Sequence, residues 1–191
     1  MTAQTAKALT LIGWGFVFNL LDIRIVFFDL LPDFIGYMMI ASGLGKLASH
    51  AATFERGRRI AVMMIFLSMP HVLMDSNVTF SDFAMVPIGV HLYGQVLLLL
   101  HLLLAYSVFN GWIEMAKQLQ QETLQESART RRDWYVFIFM IHLFFYPFLF
   151  NLPEDWLLLY LGISFVSIFI ELLFIRLPFR FRKLAEASET R

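Results

Sequence analysis

The sequence predicts an all-α fold, a polytopic membrane helix bundle of about six transmembrane helices, and three observations carry that prediction. The chain is 59% apolar and only 16% charged, against about 45–50% and about 25% in an ordinary soluble domain. Apolar runs recur from one end to the other, at lengths that approach the roughly 20 residues a helix needs to cross a bilayer. All but one of the 15 Lys and Arg fall in alternate connecting segments. A single integral membrane domain covering 1–191 follows.

Taken in order, the first span runs from about Ala8 to Leu21, with a continuation to Phe28 (8–28) as its longer form. One lysine, Lys7, precedes it and no small-residue cleavage site follows, so the segment reads as an uncleaved span and not a signal peptide. Within it, Leu21-Asp22-Ile23-Arg24-Ile25 alternates apolar and polar residues. A period of two suits extended backbone at the outer interface, packed back on the bundle so that its polar groups are satisfied.

The second span, about 32–48, opens at Pro32, where a missing N–H costs nothing because the first helical N–H groups have no partner. Gly36, Ala41, Ser42, Gly43 and Gly45 make it the small-residue helix, with Ala41 and Gly45 in small-xxx-small spacing; close neighbours are expected there. The third and fourth spans cover about 60–74 and 88–109. A polar, helix-prone cytoplasmic connector over 111–133 follows, extending span four or lying along the membrane, with Glu114 and Lys117, and Glu126 and Arg129, at helical pair spacing. The fifth and sixth spans cover about 134–150 and 156–175. Pro32, Pro87 and Pro153 each stand where a span begins, which suggests three helical hairpins built on one pattern.

Orientation follows from charge. Lys46, Arg56, Arg58 and Arg59 lie between spans two and three; Lys117, Arg129, Arg131 and Arg132 lie between four and five. The tail holds Arg176, Arg180, Arg182, Lys183 and Arg191, and only Arg24 falls on the other side. Cytoplasmic loops carry the excess of Lys and Arg, so both termini are expected in the cytoplasm of a bacterial plasma membrane. The opposite side carries Asp22, Asp29, Asp33, Asp75, Asp82, Glu154 and Asp155.

Two readings attach to Asp29 and Asp33. At the start of a helix, carboxylates accept unpaired N–H groups and meet the positive end of the dipole, worth about 0.5–2 kcal/mol. Alternatively Asp22, Asp29 and Asp33 form a shallow oxygen site for a hard cation or a proton. Four histidines fall in spans. His71 and His91 would lie near the outer surface, and His101 and His142 nearer the inner one. Two such levels suit a two-haem cytochrome, but His91 and His101 are ten residues apart, about 15 Å along one helix and about 80° around it. Structural histidines are therefore the default. No cofactor is expected, with haem the alternative, and no metal ligand set is present.

Two readings attach to Glu171, pairing with Arg176 or another inner arginine, which is the expectation, and a proton relay. Asn19, Gln95 and Asn110 read as interhelical hydrogen-bonding groups. The absence of cysteine excludes disulfides, thiolate metal sites, iron–sulfur clusters and a lipoprotein anchor. No nucleophile motif, phosphate loop or zinc motif occurs, so nothing in the sequence supports an enzyme.

The run Asp29-Leu30-Leu31-Pro32-Asp33-Phe34-Ile35-Gly36-Tyr37, preceded by Leu21-Asp22-Ile23, resembles an uncharacterised family of small multi-pass membrane proteins of Bacillus- and Clostridium-like bacteria. In that family a Leu-Pro-Asp-Phe-Ile-Gly-Tyr run, here with Pro32, Gly36 and Tyr37, opens the second span. The resemblance covers about a fifth of the chain and implies a plasma-membrane location without an activity. The expected function is that of a non-enzymatic membrane protein, either a small transporter-like bundle or a partner subunit. Its partners are the lipid bilayer and either a second copy or another membrane protein, with no nucleic acid.

Overall fold

The apolar runs fold into six α-helices: α1 (Ala3–Leu20), α2 (Asp33–Leu47), α3 (Ala52–Ser68), α4 (Ile88–Gln118), α5 (Glu122–Phe145) and α6 (Asp155–Glu189). A 3-10 turn, Tyr146–Phe150, extends α5. The structure is a computed structural model and describes residues 3–21, 24–25, 28–29, 33–70, 86–150 and 155–189. The fold is all-α, apart from a two-residue ladder in which β1 (Arg24–Ile25) pairs antiparallel with β2 (Phe28–Asp29).

That ladder corrects the first span. The helix stops at Leu20 and does not reach Phe28. The alternating residues after Leu21 favour extended backbone, and in the pairing Arg24 stands opposite Asp29. Asp29 therefore lies in a strand four residues ahead of α2, whereas Asp33 occupies the first turn. Asp22, Pro32 and His71 lie outside the described residues.

Helix ends also differ from the sequence expectation. The 111–133 segment is helical and its first part extends the fourth helix, as expected, while its second part starts the fifth: α4 runs on to Gln118 and α5 begins at Glu122. Between them Gln120 takes a left-handed conformation (φ 54°), and the Gln121 N–H returns to Ala116 O at 3.0 Å, a common way to end a helix. Likewise α6 continues through Pro178 to Glu189. Proline leaves the Phe174 carbonyl without its i+4 donor; in the same turn Arg131 of α5 donates to Leu173 O at 2.6 Å.

Each helix packs on the next in sequence and α6 packs on α1, so the six close into a ring. Every neighbouring pair runs antiparallel. His91 meets Tyr146 while Asn110 meets Arg132; His142 meets Tyr160 while Tyr135 meets Glu171. The ends at Leu20, Asp33, Ser68, Ile88 and Phe145 thus gather on one side, the acidic end. Lys46, Lys117 and Arg129 gather at the other. Contacts between the three proposed hairpins are as extensive as those within them, so the hairpins are not set apart from one another.

The α1–α2 contact is the tightest. A Cβ on Gly15 would lie 2.7 Å from Gly36 O, one on Gly36 would lie 2.7 Å from Gly15 O, and one on Gly43 would meet Ala8 O at 2.8 Å. Span two is indeed a close-packed helix, but through Gly36 and Gly43. Gly45, by contrast, faces only the flexible Arg58 side chain.

Aromatic residues fill the basic half of the ring. Trp112 stacks on Phe181 at 5.1 Å and meets Phe54 at 5.2 Å; Phe174 joins Phe16 at 4.5 Å and Phe109 at 4.6 Å. All six of these residues are buried. The outside is apolar as well: Trp14, Met38, Phe66, Leu92, Phe137 and Phe169, one from each helix, are exposed. Among the described residues two helical segments, Ile88–Gln118 and Leu158–Leu184, are long and apolar enough to cross a membrane.

Candidate functional site

In the acidic half the aromatic packing gives way to a cavity of about 480 Å³, lined by residues of all six helices. It extends from Asn19, Asp33 and Ser68 at the helix ends to His101 and Glu171, which stand near the middles of α4 and α6. Its walls are largely apolar and aromatic, including Tyr93, Leu97 and Phe139. Two carboxylates, Asp33 and Glu171, line it, and among the described residues no Lys or Arg does.

The floor is a hydrogen-bonded row. Tyr37 Oη lies 3.1 Å from His101 Nδ1, and His101 Nε2 lies 3.1 Å from Tyr135 Oη. The Tyr135 hydroxyl donates to Glu171 Oε2 at 2.5 Å, and His101 Nε2 lies 3.6 Å from Glu171 Oε1. Counting protons fixes the directions. A tyrosine hydroxyl has one hydrogen, and that of Tyr135 goes to the carboxylate. His101 Nε2 must therefore donate to Tyr135 Oη, so with a neutral imidazole Nδ1 accepts from the Tyr37 hydroxyl. All three donors point toward Glu171, which is the terminal acceptor.

Packing holds the row in place. Phe139 stacks on Tyr135 at 4.3 Å, Phe16 meets the His101 ring edge-on at 5.9 Å, and Tyr135 is fully buried. The pairing of Glu171 with an inner arginine is thus overturned. Its side chain turns inward to Tyr135 and His101 because α6 extends well past residue 175, which leaves Glu171 in mid-helix.

Other polar side chains at the cavity are used locally or left open. Ser68 donates to Met64 O at 2.7 Å and Ser167 to Ile163 O at 3.0 Å, each within its own helix. Tyr93 donates to Leu67 O. Asn19 differs: its side-chain oxygen and nitrogen are both buried and neither has a partner. The expected interhelical bond is absent, because Asn19 is pressed against the bare backbone of Gly36. Asn110 does bond between helices, accepting from Arg132 at 2.8 Å.

His91 and His142 form a second level near the acidic end. His91 Nδ1 lies 2.7 Å from Tyr146 Oη, and His142 Nε2 lies 2.5 Å from Tyr160 Oη. The two tyrosine rings are 6.2 Å apart. Depth estimated from the predicted spans groups His142 with His101; the structure groups it with His91, because α5 ends at Phe145 and so places His142 in its last turn. Among the described residues no group of three or more His, Asp or Glu is arranged to hold a metal ion. Of the acids singled out in the sequence, Asp33 reaches the cavity. Glu171 and Tyr135 were missed as partners, since 36 residues of chain separate them.

Comparison of the chain with protein-family models, with curated proteins and with solved structures finds no match.

Proposed function

We propose that this is a six-span plasma-membrane protein with both termini in the cytoplasm, a non-enzymatic, transporter-like bundle whose central cavity binds a small organic cation. Exposed large apolar side chains on all six helices support full immersion in lipid. The alternation of basic and acidic connections supports the orientation. The short helices fit less simply: the 15 residues of α2 rise about 22 Å, against a hydrocarbon core of about 30 Å. Local thinning and the flanking extended segments make up that difference.

The observation that carries the cation reading is Glu171, 5% exposed in a cavity without Lys or Arg. Burying an ionised carboxylate costs several kcal/mol, and one charge-assisted hydrogen bond offsets roughly 1.5–3 kcal/mol. The balance falls to a cation or a proton. Tyr37, Tyr93 and Phe139 supply the aromatic faces that attract organic ammonium groups, and the unpaired Asn19 amide supplies a polar contact. Benzyltrimethylammonium should raise the melting temperature of the purified chain in detergent, whereas phenylacetate should not. Glu171→Gln should remove the effect. Equal stabilisation by the anion would refute the assignment.

A further inference from the structure

A carboxylate that needs either a cation or a proton has a consequence for how the site works. The proton alternative has a path in this structure. Tyr37 donates to His101, His101 to Tyr135 and Tyr135 to Glu171, over contacts of 3.1, 3.1 and 2.5 Å. At the other end of the row, Asp33 stands one helical turn from Tyr37 on α2 and lines the same cavity. The bonded row thus runs from Glu171 in the middle of the bundle to Tyr37, and the cavity spans the one helical turn between Tyr37 and Asp33.

We propose that Glu171 is one site shared by a proton and a small organic cation, each excluding the other, and that Tyr37, His101 and Tyr135 carry the proton between Glu171 and the Asp33 end. This rests on the cation-binding reading above. Loading moves each hydrogen one step. Tyr135 gives its proton to the carboxylate, His101 gives its Nε2 proton to Tyr135, Tyr37 gives its own to His101 Nδ1, and Tyr37 is reprotonated from the Asp33 side. One proton enters, one reaches Glu171, and every intermediate group ends neutral with His101 in its other tautomer. Arrival of the cation drives the same steps backward and restores the first tautomer.

The groups that surround Glu171 are consistent with a single exchangeable charge. Asp33 and Tyr37 face the cavity from α2, Tyr93 and His101 from α4, and Tyr146 from the turn after α5, with His91 behind Tyr146; α1 and α3 contribute Asn19 and Ser68, which do not titrate. No Lys or Arg among the described residues lines the cavity, and Arg131 of α5 is held on the Leu173 carbonyl of α6.

The test uses the full chain in detergent and benzyltrimethylammonium, which has no N–H proton, so that any proton released comes from the protein. In weakly buffered solution with an indicator dye, binding should release up to about one proton per probe, and affinity should fall up to about tenfold per pH unit on the acid side. Tyr37→Phe, compared with the wild type at probe concentrations that saturate each protein, should slow proton release at least tenfold. Glu171→Gln should neither bind nor release. Binding that is indifferent to pH and releases no proton would overturn the shared site while leaving cation binding intact. Unchanged release kinetics in Tyr37→Phe would overturn the path. Failure of the wild-type chain to bind the probe at any pH would overturn both this proposal and the cation reading. Should Glu171→Gln not fold, the wild-type pH dependence decides alone.

Discussion

The Tyr135 hydroxyl and the Glu171 carboxylate meet at 2.5 Å across the α5–α6 contact, and both side chains are buried. Each is awkward without the other: a phenol hydroxyl out of water needs an acceptor, and a carboxylate out of water needs a donor. Tyr135→Phe keeps the ring and its stack on Phe139 but removes the hydrogen. It should cost about 1.5–3 kcal/mol, the value of a bond to a charged group, read as a lowered melting temperature in detergent. In the Glu171→Gln background the same change should cost roughly 1 kcal/mol or less, since a neutral acceptor binds the hydroxyl more weakly. An equal cost in both backgrounds would show that the two residues are not coupled.

The chain contains no cysteine, so a single introduced thiol reports on its own position without background. Gly94 lines the cavity, and a Cβ built there meets nothing within 4 Å. Gly94→Cys should fold normally and react with a small water-soluble methanethiosulfonate, and bound benzyltrimethylammonium should slow the reaction. A thiol that reacts only after denaturation would show that the cavity is closed to solutes.

The sequence made the helices and their alternation legible, because apolar runs and basic connections are local features. It also marked Asp33, Tyr37 and Gly36, which the structure places at the cavity or at the tightest helix contact. The floor of the site was not legible in the same way. Tyr37, His101, Tyr135 and Glu171 come from four different helices and meet only once the ring closes. One signal did exist: an acid in the middle of an apolar helix is costly unless it is partnered. It was masked because the sixth helix was ended too early, which moved Glu171 toward the arginines. The same error in the other direction, starting the fifth helix late, misplaced His142.

Topology gives a prediction that the ring makes strict. All neighbouring helices are antiparallel, so six spans place every odd-numbered connection on the same side of the membrane. Reporter fusions at residues 52, 120 and 191 should read as cytoplasmic, and fusions at 80 and 153 as external. One external signal at 120 together with a cytoplasmic one at 80 would invert the molecule. Mixed signals at 52 and 80 would mean that the short α2 or α3 does not cross.

Glycine positions separate packing from composition. At Gly36 an added Cβ would lie 1.8 Å from Asn19 Oδ1 and 2.7 Å from the backbone oxygen of Gly15. The amide can swing aside but the backbone cannot, so Gly36→Ala must push α1 and α2 apart. Overpacking of this kind costs about 1–3 kcal/mol, and here it should also disturb Asn19 at the cavity and weaken cation binding. Gly162 sits in α6 with nothing within 4 Å of the same Cβ, so Gly162→Ala should be stabilising by up to about 1 kcal/mol, the helix-propensity gain alone. Melting temperatures of the two variants in one detergent provide the comparison. A Gly36→Ala protein as stable as the parent would mean that the two helices are not held at glycine distance, and the placement of Asn19 beside the cavity would fall with it.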